Sequence, residues 1–441
     1  MWKGTKVMSA LTVCIIMFSL LIVLILLRVP VSFALGFAVL PILLLTPRIT
    51  PVMLLHRMMV QYGSFILIAI PFFLLAANLM NDSGITKKLM RFSRSIVGSL
   101  PGGTGHVNVL VSMLFAGISG SSNADAAGIG GVLIPAMIKE GYDKNFTVAV
   151  TACSAVMGNI IPPSIIMIVW GGIMSTSVSG LFLAGFIPGV MIAGFQMILV
   201  LIYARKRKYK TISKFSFKEV LTSFKDSLLA LFTPVIIIGG IVGGFVTPTE
   251  ASLIAVVYSF ILGAIIYRTI PLKKVSPVLL RTAKLASLVL FAVGTASIYA
   301  WVLAYFNLPQ FLIDVLGSLT TSPTVMLFIF VIIFLIVGTF MDAVPAIVVL
   351  GPLLKPLAEH MGIHSLHFGI VGVMALAFGL VTPPYGLCLL IASEIAGINC
   401  TKALKEVGAF LGVMLLVLII IVLFPGITLW VPKLFMPGLF M

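Results

Sequence analysis

Charge is what this chain has least of: only 9% of its 441 residues are charged, and the acidic ones number 12. A soluble domain of this size needs far more polar cover, so a water-soluble globular protein is excluded. Cysteine is scarce as well. Cys14, Cys153, Cys388 and Cys400 lie in or beside apolar segments without metal-ligand spacing, and they read as buried free thiols. His360, His364 and His367 are near one another but fall in a loop with no carboxylate or thiol set at ligand spacing, which argues against a metal site. No Walker motif, phosphate loop or Ser/His/Asp arrangement occurs. ATP-driven chemistry by this chain and enzymatic catalysis are both disfavoured.

What is abundant is hydrophobicity, at 61% of residues with a mean hydropathy of +1.24. Long apolar runs recur from end to end, so the chain is an all-α polytopic membrane protein. Spans are expected near 9–28, 31–46, 63–81, 146–172, 181–203, 228–246, 251–267, 285–306, 367–392 and 407–424, with interrupted apolar segments at 107–138 and 323–357. Lys3 and Lys6 before Leu11–Leu27 resemble a signal peptide. The run is long, however, and no small-residue cleavage site precedes Arg28-Val29-Pro30, so an uncleaved first helix is expected. Trp2, Trp170, Trp301 and Trp430 fall near span ends and read as interface anchors.

The net charge of +16 is concentrated in short loops, which favours a topological signal over nucleic-acid binding. If 107–138 and 323–357 crossed fully, the basic loops would alternate between sides. If both are re-entrant hairpins, the loops around 87–94, 139–144, 205–225, 268–284 and 402–405 share one face. The positive-inside rule selects the hairpins and places both termini outside, although Lys3 and Lys6 run against that at the N-terminus. The organisation expected is N-terminal scaffold helices (1–106) and a first repeat core (107–203; hairpin 107–138, broken helix 146–172). A basic cytoplasmic linker (204–226) and second scaffold helices (227–306) follow. Residues 307–441 form a second repeat core (hairpin 323–357, broken helix 367–392) with a C-terminal helix.

The repeat is visible in the residues themselves. Asp125 and Pro135 match Asp342 and Pro352 at the same separation, and Gly158-x-x-x-Pro162-Pro163 matches Gly379-x-x-x-Pro383-Pro384. Two successive prolines break a helix. Broken backbone within hydrocarbon is tolerated only where protein or water satisfies it, so matched breaks in inverted halves point to a transport site.

At Ser119-Gly120-Ser121-Ser122-Asn123 a helix stops near mid-membrane. Its short side-chain oxygens and freed carbonyls suit sodium or substrate, while Ser122 or Asn123 as a cap, with Asp125 in the first turn, is the bland alternative. The second tip offers Gly338, Thr339 and Asp342, and its break offers Gly379 and Thr382. Asp342 fits a cap and a site residue equally well. Each break also opens a helix N-terminus, at Pro162-Pro163-Ser164 and Pro383-Pro384-Tyr385, able to hold an anion by dipole and amides. Asn159, Ser121, Ser122, Pro163 and Tyr385 are the candidate substrate contacts. Thr247-Pro248-Thr249-Glu250 reads as a capped helix start, with Thr249 as cap.

The run Gly117-Ile118-Ser119-Gly120-Ser121-Ser122-Asn123-Ala124-Asp125-Ala126-Ala127, then Ile134-Pro135-Ala136-Met137, both Pro-Pro breaks and Thr247-Pro248-Thr249-Glu250-Ala251 together resemble the large membrane subunit of tripartite ATP-independent periplasmic (TRAP) transporters. The resemblance covers essentially the whole chain. It implies a bacterial inner-membrane, elevator-type secondary transporter that imports organic acids on a sodium gradient. It further implies a separate small four-helix membrane subunit and a periplasmic binding protein as partners. Carried onto this sequence, one sodium site would lie around Ser119, Gly158, Ile161 and Pro162, with Asn123 nearby. A second would involve Gly338, Thr339, Gly379 and Thr382. No cofactor other than coupling sodium ions is implied. A self-sufficient sodium–carboxylate symporter of similar architecture and, further off, a channel are the alternatives.

Overall fold

A computed structural model describes residues 10–212 and 214–440. Lys3, Lys6 and Trp2, and with them the sequence argument about the N-terminus, lie outside the described residues. The elements of the first half are α1 (Ala10–Leu26), α2 (Val31–Leu45), α3 (Pro51–Tyr62), α4 (Ala69–Asp82), α5 (Ile85–Val97), α6 (Gly103–Ser119), α7 (Ser122–Lys139), α8 (Lys144–Ala155), α9 (Ile165–Met174) and α10 (Val178–Arg207). The second half contains α11 (Phe217–Val242), α12 (Pro248–Phe260), α13 (Leu272–Tyr305), α14 (Leu308–Gly317), α15 (Pro323–Gly338), α16 (Ala343–His360), α17 (Ser365–Gly379), α18 (Leu387–Ala396), α19 (Cys400–Leu423) and α20 (Gly426–Phe435). No strand occurs among the described residues.

Both interrupted segments are helical hairpins. Gly120 turns the first one at φ +65°, a left-handed conformation that glycine adopts without strain, and α6 then packs along α7. The second turns through 339–342 between α15 and α16. Both Pro-Pro pairs interrupt helices as expected. After α8 a single 3-10 turn (Val156–Asn159) leads into irregular backbone before α9, and α17 and α18 are separated at Pro383-Pro384. The Pro162-Pro163 and Pro383-Pro384 bonds are cis.

The two repeats interlock. The return arm α7 of the first hairpin packs on α18, the second segment of the other repeat's broken helix, and the return arm α16 packs on α9. Helices α1 to α4 and α11 to α13 pack among themselves beside this core, with α13 touching α2, α3, α4 and α16.

Ion pairs tie the basic loops to one another. Arg91 bonds Glu219 at 2.8 Å and Asp226 at 2.6 Å, Arg281 bonds Asp82 at 3.1 Å, and Arg207 pairs with both Glu406 and Asp143. The loops that carry most of the positive charge therefore meet at one end of the helices. At the other end, Thr249 bonds the Phe65 carbonyl and His367 bonds Thr428. This is the arrangement the hairpins require.

Several local expectations change. Helices α3, α5, α14 and α20 are additional to the expected spans. Polar residues and prolines at their ends stop them short, well under the roughly 20 residues a crossing requires. At the start of α12 the cap is Thr247, in a reciprocal capping box with Glu250, while Thr249 instead bonds Phe65. Trp430 is exposed, and Trp301 is half-buried beneath the Arg57 guanidinium, 5.3 Å from its ring. Trp170 is no interface anchor. It is fully buried in α9, with its ring centroid 5.9 Å from that of Phe334 and 5.2 Å from that of Phe368. Gly369 and Gly372 of α17 provide the room, since a β-carbon on either would press into the indole. Trp170 thus joins the first repeat to the second, and Trp170→Ala should destabilise the protein by about 3–5 kcal/mol. A thermal melt in detergent, followed by intrinsic fluorescence of the remaining tryptophans, measures this.

Candidate functional site

The first tip and the first break are knotted together by short polar contacts. Ser121 caps α7, its hydroxyl accepting from the Ala124 N–H, so neither Ser122 nor Asn123 is the cap. Ser122 is freed to bind across: its N–H donates to Asn159 Oδ1 at 3.2 Å and its hydroxyl to the Val156 carbonyl at 3.1 Å. The Ile165 N–H donates back to the Gly120 carbonyl at 3.2 Å. Ser164 caps α9, and its hydroxyl holds the Asn159 carbonyl at 2.7 Å.

Asp125 sits inside this knot. It lies in the first turn of α7, but its carboxylate does more than favour the helix dipole. The Ser119 hydroxyl donates to Oδ1, while Oδ2 is buried and has no hydrogen-bond partner. The residue is 0% exposed. Gly158 closes over it: a β-carbon there would stand 2.6 Å from Asp125 Oδ2 and 2.9 Å from the Ser122 nitrogen. An unpaired charge in such surroundings is costly, so the carboxyl calls for either a proton or a bound cation. Sequence reasoning placed Asp125 among the helix-dipole residues. The available signal was its position, since an intramembrane carboxylate is a functional candidate by default.

Of the other residues expected here, Ser119 and Gly158 come together at Asp125. Ile161 is buried with its side chain against Gly189 of α10, and the Pro162 carbonyl faces Gly117. The side chain of Asn123 turns away: its Oδ1 accepts from Cys388 Sγ at 3.5 Å, joining the first tip to the second broken helix.

The second tip repeats the plan with fewer side-chain ligands. The Tyr385 N–H donates to the Thr339 carbonyl at 3.0 Å, the counterpart of the bond between Ile165 and Gly120. Gly338 and Gly379 meet backbone to backbone, so a β-carbon on Gly379 would overlap the Gly338 carbonyl group. Asp342 caps α16, accepting from the Ala343 N–H at 2.7 Å, and it also lines a cavity. The Thr339 and Thr382 hydroxyls each donate to a carbonyl of their own helix, at 2.7 Å and 3.0 Å, which leaves their oxygens as acceptors. The two tips differ in access. Ser119, Ser122, Asp125 and Asn159 are buried, whereas Thr339, Asp342 and Thr382 are half-exposed.

A cavity of about 1350 Å³ lies where the tips face the scaffold. Ser121, Asn123, Asp342, Pro384 and Tyr385 form one side of it, and Asn78, Asn81 and Arg28 belong to the other. Its size is ample for a small organic ligand with water. The scaffold contribution was illegible in the sequence, because nothing local marks Asn81 or Arg28 as facing α7. Among the described residues no cluster of His, Cys, Asp and Glu is placed to hold a metal, and His364 accepts from the Leu366 N–H. All four cysteines are free, but only Cys153 and Cys388 are buried as expected, Cys14 and Cys400 being half-buried.

Two inverted hairpins, each seated on a broken helix, with both tips and the second break lining one cavity, define a membrane transport protein built like a secondary transporter. The chain belongs to the family described as "Tripartite ATP-independent periplasmic transporter, DctM component", which matches residues 18–427. It is similar to the sialic acid TRAP transporter large permease protein SiaM of Vibrio cholerae, with 36% identity over 92% of this chain and 95% of that protein. It is also similar to the C4-dicarboxylate TRAP transporter large permease protein DctM of Rhodobacter capsulatus, with 34% identity over 97% of this chain and 99% of the relative. Among solved structures, the YdaH transporter of Alcanivorax borkumensis shares the fold at a TM-score of 0.61 and 15% identity, covering 93% of this chain and 98% of that one. The chain is therefore a TRAP large permease subunit, a multi-pass membrane protein and not an enzyme.

Proposed function

We propose that this permease imports an organic acid across the bacterial inner membrane, driven by a sodium gradient. A periplasmic binding protein delivers the substrate, and a small four-helix subunit completes the membrane complex. The observation that carries the sodium reading is the fully buried Asp125 carboxylate, with Oδ2 unpartnered between the first tip and the first break. Ser119, Asp125 and Gly158 frame one sodium site; Gly338, Thr339, Gly379 and Thr382 frame the second. A sodium ion would supply the positive charge that Asp125 otherwise lacks. Asn123, Ile161 and Pro162 support the first site through packing and the link to Cys388.

The substrate sits in the cavity against Ser121, Asp342 and Tyr385; Ser122, Asn159 and Pro163, expected as contacts from the sequence, are buried behind the first tip and do not line it. The tips carry no lysine or arginine, so helix N-termini and co-bound cations hold its acid group. The hairpins and broken helices move together against α1–α4 and α11–α13, in the manner of an elevator. The basic face is cytoplasmic and both termini are periplasmic, a reading that the clustering of lysine and arginine at one end of the helices supports and that Lys3 and Lys6 alone oppose. The substrate class comes from relatives named for sialic acid and C4-dicarboxylates.

Reconstitution of the chain in liposomes with a small subunit and a binding protein tests this. Sodium-dependent uptake that requires the binding protein is expected; robust uptake by the chain alone would identify a self-sufficient symporter instead. In the same assay Ser119→Ala and Thr382→Ala should each raise the sodium concentration for half-maximal uptake, by about five- to tenfold for the loss of one ligand oxygen. Unchanged sodium activation in both variants would refute the assignment of the sites.

A further inference from the structure

The cavity has two unlike walls. The tips present hydroxyls, amides and Asp342, whereas the scaffold presents three basic side chains, Arg28, Lys87 and Arg281. Arg281 is paired with Asp82 at 3.1 Å. Arg28 and Lys87 are exposed, and neither has an ion-pair partner among the described residues. Arg28 also holds an unusual backbone position. It ends α1 at φ +64°, with its N–H donating to the Ile25 carbonyl at 2.9 Å. Glycine meets that conformation without cost, while a side chain there is disfavoured. An arginine at such a turn can serve simply as a charge anchoring the helix end. This one instead lines the cavity that the tips line from the other side.

We infer that Arg28 and Lys87 form a carboxylate-binding exit site on the scaffold, which receives the acid group of the substrate as it leaves the tips. The inference rests on the organic-acid reading above. At the tips the acid group is held by dipoles and by co-bound cations, and that hold weakens once a cation departs. A guanidinium offers a planar fork matched to a carboxylate, and Lys87 adds a point charge at the same wall. Because both groups are solvated, the attraction is modest and screened by salt, which suits a transient stop rather than a tight site.

Counterflow in proteoliposomes containing the complete complex tests this, with radiolabelled succinate and sialic acid as probes. Arg28→Gln should raise the internal substrate concentration for half-maximal exchange by about fivefold, and the double variant with Lys87→Gln should raise it further. Both should flatten its dependence on ionic strength, and Arg28→Lys should restore most of the effect. The external sodium activation curve should not move. Unchanged internal half-saturation and salt dependence in a wild-type-like, correctly oriented double variant would overturn the exit site. So would an equal shift of the external sodium curve, which would mark Arg28 as a helix anchor only. A wild-type complex that exchanges neither probe defeats the organic-acid reading itself, a separate result from a silent Arg28 variant.

Discussion

Asp125→Asn is expected to reduce sodium-driven uptake by about two to three orders of magnitude. Removing one partner of a buried ion pair costs about 3–5 kcal/mol, which is that factor in an equilibrium constant. The residue is fully buried, Ser119 occupies Oδ1, and Oδ2 faces Gly158 with nothing to bind. The same argument fixes the sign of a second, independent readout. Without a bound cation the buried carboxyl has no partner at Oδ2, and asparagine replaces it with a group of the same shape that never carries a charge. The variant should therefore melt at or above the wild-type temperature without sodium, and it should lose the stabilisation that sodium confers on the wild type. If sodium raises the melting temperature of both proteins equally, Asp125 is not at a cation site.

Gly379→Ala should be the most damaging single-methyl change in the second repeat. Its β-carbon would overlap the backbone of Gly338, which cannot rotate away as a side chain can. Overpacking commonly costs about 1–3 kcal/mol, and a collision with main chain belongs at or beyond the upper end. The first broken helix would remain intact, so the loss should appear as failure of the second tip to seat against its break. Gly338→Ala is the control. There a β-carbon would stand 3.0 Å from the Leu376 carbonyl oxygen, also main chain, but tight rather than overlapping. We expect Gly379→Ala to abolish uptake and lower the melting temperature by several degrees, with Gly338→Ala clearly milder. Equal effects on melting and uptake would show that the tip does not depend on this backbone contact.

Much of this architecture was legible because a bilayer restricts the chain so severely. Proline pairs within apolar runs mark breaks, and charge counts decide between a crossing and a hairpin, so both hairpins and both breaks followed from residues alone. What misled was side-chain direction. Trp170 sits near a predicted span end, where tryptophan usually meets lipid headgroups. It is buried because glycines on α17, some 200 positions later, leave a slot for it. Thr247, three residues before Glu250 and just before Pro248, has the capping-box spacing that Thr249 lacks, so this cap was legible in the sequence and Thr249 is left to bond the Phe65 carbonyl. Asp125 was assigned to the helix dipole because capping accounts for an acid in a first turn without reference to Gly158, which lies 33 positions further on.

The sequence by itself determined that this protein crosses a membrane, that its halves are inverted repeats, and that Pro162-Pro163 and Pro383-Pro384 break matched helices. Each of these depends on local sterics and on the cost of bare backbone in hydrocarbon, which a linear pattern records. Only the tertiary structure decided that Gly158 presses Asp125 Oδ2 into a pocket without a partner, that Asn123 reaches across to Cys388, and that Arg28 shares a cavity with Asp342. These are meetings of residues far apart in the chain, set by how helices pack, and spacing along a sequence carries no record of them.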